Sequence, residues 1–161
     1  MQRHPSLHAL SQHHHFALIQ ALEMRRAGEL PAEKRAASAR KAAERFLRFW
    51  NKTGRTHFRE EEEVLLPAYS RHTRIDEDPA VMKMLAEHAA IRAAAADLER
   101  MLADGLSVNE TIASLARILH DHVRREENEI FPRIEKTLAE AELASLGQSL
   151  TRLHPKHSCD F

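Results

Sequence analysis

Apolar residues recur at helical spacing along almost the whole chain, and glycine and proline divide this pattern into blocks. Asp78-Pro79 is a typical helix start, with an N-cap residue before a proline in the first turn. Ser107 and Glu110 form a capping-box pattern that opens a later block. The pattern predicts helices over residues 6–27, 31–67, 79–104, 107–132 and 135–146.

The second and fourth of these blocks contain residues that disturb a helix. Gly54 interrupts the second block, but a glycine costs only about 1 kcal/mol in a helix interior, so we expect one long helix that is bent or interrupted there. Pro67 and Pro132 lack a backbone N–H. We expect the second helix to fray or kink around Pro67, and Pro132 to close or kink the fourth. Long helices joined by short links predict an all-α protein, an antiparallel up-down four-helix bundle with a short extra C-terminal helix.

Composition and charge narrow the class of protein. Lys and Arg number 24 and Asp and Glu number 24, so bulk charge gives no sign of a nucleic-acid surface, whereas 12 histidines are unusual. We expect one helical domain over residues 1–150 and a polar tail over residues 151–161. The only cysteine, Cys159, excludes an internal disulfide. Without a signal-peptide pattern or a long apolar run, we expect a cytoplasmic protein with no membrane partner.

One short stretch occurs twice, first at His57 and again at His122, 65 positions later. Both copies contain His-x-x-x-Glu, which pairs His57 with Glu61 and His122 with Glu126. Residues four apart lie on one helix face with their Cβ atoms roughly 5–6 Å apart, so each copy presents an imidazole and a carboxylate in the same direction. Two such units that face each other would hold metal.

The first and third helices each carry a histidine on the apolar face. The apolar residues around His88 recur at the same offsets around His14, and His13 is the rival ligand if the first helix is rotated. Imidazole and carboxylate without thiolate suit non-haem iron, with manganese and zinc as alternatives. Two facing glutamates can bridge two ions, with oxide, hydroxide or water completing the coordination. The predicted ligands are His14, His57, Glu61, His88, His122 and Glu126.

These motifs resemble the hemerythrin-like (HHE) cation-binding domain of the bacterial single-domain type, over roughly residues 4–148. The resemblance implies an up-down bundle around a diiron site, with the six residues above as ligands and the two glutamates bridging. In oxygen-carrying hemerythrins, which this chain resembles, the third helix contains His-x-x-x-His. Here the residue four after His88 is Arg92, so reversible oxygen transport is not expected. The motifs are Leu10-Ser11-Gln12-His13-His14-His15, Phe49-Trp50, His57-Phe58-Arg59-Glu60-Glu61, Glu87-His88 and the stretch from His122 to Pro132.

The expected function is that of a diiron protein that binds or senses iron, dioxygen, nitric oxide or reactive oxygen species, with a partner protein for any signalling. The alternative is a diiron oxidoreductase that activates peroxide or dioxygen, because binding and activation use the same open positions. A helical bundle whose histidines only pack is a third hypothesis. Binding is favoured over catalysis, since only Glu129 and Tyr69 stand out as candidate proton donors.

Several other glutamates near the predicted ligands have candidate roles of their own. Glu60 and Glu127 are candidate hydrogen-bond acceptors that orient a histidine. Glu62 and Glu63 are expected to lie on a solvated face. Glu129 occupies the position that Val64 holds in the first copy, so it is a candidate extra ligand or proton relay in the second copy only.

Overall fold

The computed structural model describes residues 3–153, and every regular element in that range is helical. This confirms the predicted all-α class. A 3₁₀ turn, Pro5–Leu7, leads into the first helix, and a second one, Ile75–Glu77, precedes the third. We label the helices α1 (His8–Gly28), α2 (residues 32–69), α3 (Pro79–Ala103), α4 (residues 109–137) and α5 (Glu140–Leu153).

Helices α2 and α4 are composite, because both include π-helical turns, in which an N–H bonds to the carbonyl five residues earlier. The interruption predicted near Gly54 is the first of these turns, Trp50–Gly54, and the helix continues through it. The segments of α2 are Ala32–Phe49, Trp50–Gly54 (π), Arg55–Glu60, Glu61–Leu65 (π) and Leu66–Tyr69. Those of α4 are Asn109–Arg125, Glu126–Ile130 (π) and Phe131–Thr137.

Neither Pro67 nor Pro132 ends its helix, so of the two outcomes expected at Pro132 the structure excludes closure of the helix. Helix α2 continues to Tyr69 and α4 to Thr137. Each proline lies at the second position of the α-helical segment that follows a π turn. A missing N–H is tolerated in a first turn, and the proline therefore follows the change of register without breaking the helix.

The two predicted helix starts have different outcomes. Asp78 is the N-cap of α3, and its carboxylate accepts hydrogen bonds from the N–H groups of Ala80 and Val81 at 2.9 and 3.4 Å. Ser107 is not a cap: the N-cap of α4 is Val108, which makes no side-chain capping bond. Val108 is buried in the core, so packing rather than capping chemistry sets this start.

The C-terminal helix lies later in the chain than predicted. Leu138 is extended, with ψ of 137°, and its buried side chain separates α4 from α5. The helix predicted over 135–146 is therefore the end of α4 followed by the first half of α5. Part of the predicted tail, 151–153, is helical, and residues 154–161, including Cys159, lie outside the described residues.

The core consists of two apolar clusters. The N-terminal ends of α1 and α3 and the C-terminal ends of α2 and α4 contribute to one cluster, and the opposite ends of the same helices contribute to the other. Over residues 3–153 no helix combines the length and apolar character that crossing a membrane requires. We call the cluster at the C-terminal ends of α1 and α3 the first cluster; it includes Met24, Phe46, Trp50, Leu98 and Leu115. The cluster at the N-terminal ends of α1 and α3 is the second; it includes Leu10, Leu65, Met84, Ile130 and Leu146.

Candidate metal centre

Buried histidines and glutamates lie between the two apolar clusters along each of α1 to α4, and six of them converge. They form two groups of four residues, and within each group the candidate ligand atoms lie within 4.8 Å of one another. Glu61 and Glu126 belong to both groups, so the arrangement matches two ions that share two carboxylates. The groups are His14, His57, Glu61 and Glu126, and Glu61, His88, His122 and Glu126.

Glu61 faces both groups with its two carboxylate oxygens. Its Oε1 lies 3.3 Å from Nε2 of His57, which is four residues earlier on the same helix. Its Oε2 lies 3.3 Å from Nε2 of His88 on α3. The His-x-x-x-Glu spacing therefore acts as predicted, with imidazole and carboxylate on one face.

Glu126 repeats this arrangement in the other half. Its Oε1 lies 3.2 Å from Nε2 of His122, again four residues earlier, and its Oε2 lies 2.9 Å from Nε2 of His14. The Nε2 atom of every central histidine thus faces a shared carboxylate. The structure brings together all six residues that the sequence singled out.

The polar atoms at this point fit a cation better than any contact within the protein. Both carboxylate oxygens of Glu61 and of Glu126 are buried without a hydrogen-bond partner, as is Nε2 of His88 and of His122. Buried carboxylate oxygens that accept no hydrogen bond are strongly unfavourable. Imidazole nitrogen and carboxylate oxygen are donors that first-row transition metals accept.

Electrostatic coupling keeps the two shared carboxylates, Glu61 and Glu126, ionised. Burial and the neighbouring Glu126 would raise the pKa of Glu61, but His57 and His14 outweigh them and lower it to about 2. Burial would lower the pKa of His88, but its contacts with the Glu126 and Glu61 carboxylates raise it to about 10. A metal ion at this point would therefore take the place of imidazole protons.

Both π turns beside the centre begin at a bridging glutamate. The carbonyl of Glu61 accepts a hydrogen bond from the N–H of Leu66, and that of Glu126 accepts one from the N–H of Phe131. The repeat seen in the sequence therefore extends to the backbone. A π turn holds more residues than an α turn, so it re-aims the side chains on either side of it.

The sequence profile of the hemerythrin HHE cation-binding domain matches residues 6–134 of this chain, a range that contains all six central residues. The chain belongs to this family. Cation binding is the family's defining property, and the buried histidine and glutamate groups agree with it. No curated protein and no solved structure matches the chain.

In this HHE domain the outer ring nitrogen of His14, Nδ1, contacts Glu127 of α4, and residues near the start of the chain hold Glu127 in place. Nδ1 of His14 lies 2.6 Å from Oε1 of Glu127. Ser11 donates to the same oxygen at 2.7 Å, and Arg3 donates to Oε2 at 2.7 Å. Glu127 therefore orients His14, which is the role considered for it in the sequence analysis.

His88 has an equivalent network that the sequence reasoning missed. Its Nδ1 lies 2.7 Å from Oε1 of Glu62, and Arg92 donates to both oxygens of Glu62 at 2.9 and 2.8 Å. The Phe58 ring stacks on His88 with the centroids 3.7 Å apart. The prediction that Glu62 lies on a solvated face is wrong, because its carboxylate reaches across to α3.

His122 and His57 differ in what they contact. Nδ1 of His122 lies 3.4 Å from Oε2 of Glu87. The other carboxylate oxygen of Glu87, Oε1, accepts a hydrogen bond from Arg125 at 3.0 Å. Nδ1 of His57 lies 3.3 Å from Nδ1 of His13 instead. His13 is therefore placed behind a central histidine, and His14 is the histidine of α1 that faces the centre.

Two other candidates, Glu129 and Tyr69, lie away from the HHE centre, as does His120. Glu129 is exposed and 3.7 Å from Arg133, so the suggestion that it is an extra ligand or relay is wrong. In a π turn that begins at Glu126, its side chain points outward. Tyr69 is buried in the second apolar cluster. His120 is exposed beside Asp121.

A small cavity of about 10 Å³ adjoins the centre on one side. Three central histidines form part of its wall, and the remaining lining residues are apolar. A cavity of this size holds about one water-sized group. It is lined by His14, Ala17, Phe46, Phe49, Trp50, Gly54, His57, Phe58, Leu119, His122 and Val123.

Proposed function

We propose that this HHE domain holds two metal ions, non-haem iron in preference to manganese or zinc. One ion is bound by His14 and His57 and the other by His88 and His122. Glu61 and Glu126 bridge them, and oxide, hydroxide or water completes the coordination. Two adjacent ions of this kind supply open positions at which a small ligand can be bound or polarised.

The observation that carries this proposal is that both buried glutamates belong to both ligand groups. Their four carboxylate oxygens are buried without a hydrogen-bond partner. A single ion would leave part of this charge uncompensated, whereas two ions use each oxygen once. Arg92 is committed to Glu62, so it adds nothing to the ligand set.

We further propose that the centre binds or senses a small ligand such as dioxygen, nitric oxide or a peroxide. The support is the cavity at His14, His57 and His122, which admits only a small group. Apart from these histidines its lining residues are apolar, so the cavity wall offers no separate acid or base. Dedicated catalysis with proton transfer requires such a group within hydrogen-bond reach, so binding is the better fit.

The same proposal includes an antiparallel up-down arrangement of α1 to α4. Two facts support it: α1 and α3 start in the apolar cluster where α2 and α4 end, and the connections between the four helices are short. In that arrangement α5 covers the end where Leu143, Leu146 and Leu150 join the second cluster.

Anaerobic loading with ferrous iron, followed by a count of metal per chain, tests the two-metal proposal. We expect two irons per chain in the unaltered protein. His57→Ala and His122→Ala should each lose at least one iron, while His120→Ala, an exposed control, should keep both. Two irons retained in His57→Ala and His122→Ala would show that the ligands are assigned to the wrong residues.

The ligand proposal is tested on the iron-loaded protein by optical spectroscopy before and after adding nitric oxide, dioxygen or peroxide. A stoichiometric spectral change at the iron centre is expected for at least one of the three. No change with any of them would contradict small-ligand binding. Sustained turnover of peroxide well above that of free iron would favour the oxidoreductase instead.

A further inference from the structure

The two halves of the centre have different surroundings at equivalent positions. His14 and His88 are equivalent across the internal repeat, and the residues just before them are His13 and Glu87. On α2 and α4, His57 corresponds to His122 and Glu60 corresponds to Arg125. The first half of the centre is thus His14 with His57, and the second half is His88 with His122. A Glu–Arg pair in the second half is thus replaced by a His–Glu pair in the first.

In the second half, both histidines lie against an ionised carboxylate. Nδ1 of His88 is 2.7 Å from Glu62, and Nδ1 of His122 makes a longer contact with Glu87, an ion-pair distance of 3.4 Å without a hydrogen bond. Each carboxylate is fixed by an arginine, Arg92 or Arg125. A carboxylate on the outer nitrogen fixes the ring and makes the metal-facing nitrogen a stronger donor.

In the first half only His14 has such a contact, with Glu127. When Nε2 of His57 binds metal, its Nδ1–H faces Nδ1 of His13, 3.3 Å away. The same Nδ1 atom of His13 lies 3.5 Å from Oε2 of Glu60. An imidazole nitrogen is a weaker hydrogen-bond acceptor than a carboxylate oxygen, so His57 is the less strongly polarised donor.

A surface groove adjoins the first half. A groove of about 520 Å³ runs between the start of the chain and α5, and Glu60 contributes to its wall. Glu60, His13 and His57 form a further group of potential ligand atoms, all within 4.8 Å of one another. A carboxylate and an imidazole thus connect this groove with the ligand His57.

We propose that the two metal positions are unequal, and that the position held by His14 and His57 is the weaker, exchangeable one. His13 is the positioning residue that makes it so, and the Glu60 groove is its route to the surface. This inference rests on the two-metal function proposed above. It assigns loading and release of metal to one half of the centre.

Stepwise binding alone is not sufficient evidence, because repulsion between two nearby cations also weakens the second step. The test therefore assigns each step to a half. Metal-free protein is titrated anaerobically with ferrous iron against a competing chelator. We expect two steps separated by at least about tenfold in affinity. His57→Ala should retain the tighter step, and His122→Ala only the weaker one.

The decisive variant rebuilds the second half's contacts in the first. In His13→Glu with Glu60→Arg, the gap between the steps should shrink by about tenfold, with two irons still bound. Glu87→Gln should narrow the gap from the other side by weakening the tighter step. His13→Gln keeps a neutral partner and should leave the gap within about twofold.

The outcomes separate this inference from the function on which it rests. Fewer than two irons in the unaltered protein would contradict the two-metal function itself. Two irons with the tighter step lost in His57→Ala would overturn the inference alone, as would a gap unchanged in both His13→Glu/Glu60→Arg and Glu87→Gln. If the double variant fails to fold, as judged by circular dichroism, Glu87→Gln alone decides.

Discussion

A carboxylate at the outer nitrogen determines how firmly three of the central histidines are held. Glu62 provides the test at residue scale, since it accepts from His88 and is itself held by Arg92. Glu62→Gln should weaken metal binding by about 10- to 100-fold. Chelator competition measures the change. Glu63→Gln is the matched control, because Glu63 pairs with Arg59 on the solvent side. A loss of affinity as large in this control would contradict the role assigned to Glu62.

The central residues were predictable from the sequence, but their outer partners were not. His57 and Glu61 lie four apart on one helix, so local periodicity is enough to pair them. Glu62 and Glu87 contact histidines on neighbouring helices, and the periodicity of one helix carries no information about such contacts. The repeat contained a usable signal, because Glu62 holds the position of Glu127, for which an orienting role was considered.

The same comparison corrects the origin of the asymmetry between the halves. The sequence drew attention to Glu129 opposite Val64, but Glu129 is exposed and pairs with Arg133. The difference that reaches the centre is His13 in place of Glu87. It lies one residue from a ligand, where packing between helices decides which side chain faces a neighbouring ring.

Among the helices, the lengths were predictable and the π turns were not. Apolar periodicity averages over several turns, so one turn with an added residue hardly changes the pattern. Gly54 was recognised as an irregular position, but the cause lies in its surroundings. A Cβ at this position would lie 2.6 Å from Cε3 of Trp50, at the π turn beside the cavity.

Gly54→Ala should therefore destabilise the protein by about 1–3 kcal/mol, because the indole has to move within a packed core. Urea unfolding measures the free energy. Gly28→Ala is the matched control: it ends α1, no atom lies within 4 Å of its added Cβ, and the change should be neutral or stabilising by up to about 1 kcal/mol. Equal destabilisation in both variants would contradict the packing argument.

At the scale of the whole molecule, a layer of buried charge separates two apolar clusters, and bound metal should stabilise this arrangement. Removing metal with a chelator should lower the melting temperature by on the order of 10 °C, since tight ligands contribute several kcal/mol to a domain of this size. Differential scanning calorimetry with and without chelator measures it. An unchanged melting temperature in a protein shown to lose its metal would contradict the structural role.

Metal binding should also release protons. Burial would lower the pKa of His14, but Glu126 and Glu127 raise it well above its usual value, and that of His88 is raised to about 10. His88 is therefore protonated at pH 7 before metal binds, the pKa of His14 is shifted in the same direction, and loading should release at least one proton per chain. Affinity should rise with pH up to the folded pKa values. Loading in weak buffer with a pH indicator measures the release; none would contradict these charge states.

The central claim is that two ions lie between the apolar clusters and share Glu61 and Glu126. Anomalous diffraction at the iron edge from crystals of the iron-loaded protein tests it most directly. We predict two peaks per chain about 3.5–4 Å apart, one beside His14 and His57 and the other beside His88 and His122. A single peak per chain, or peaks away from Glu61 and Glu126, would contradict it.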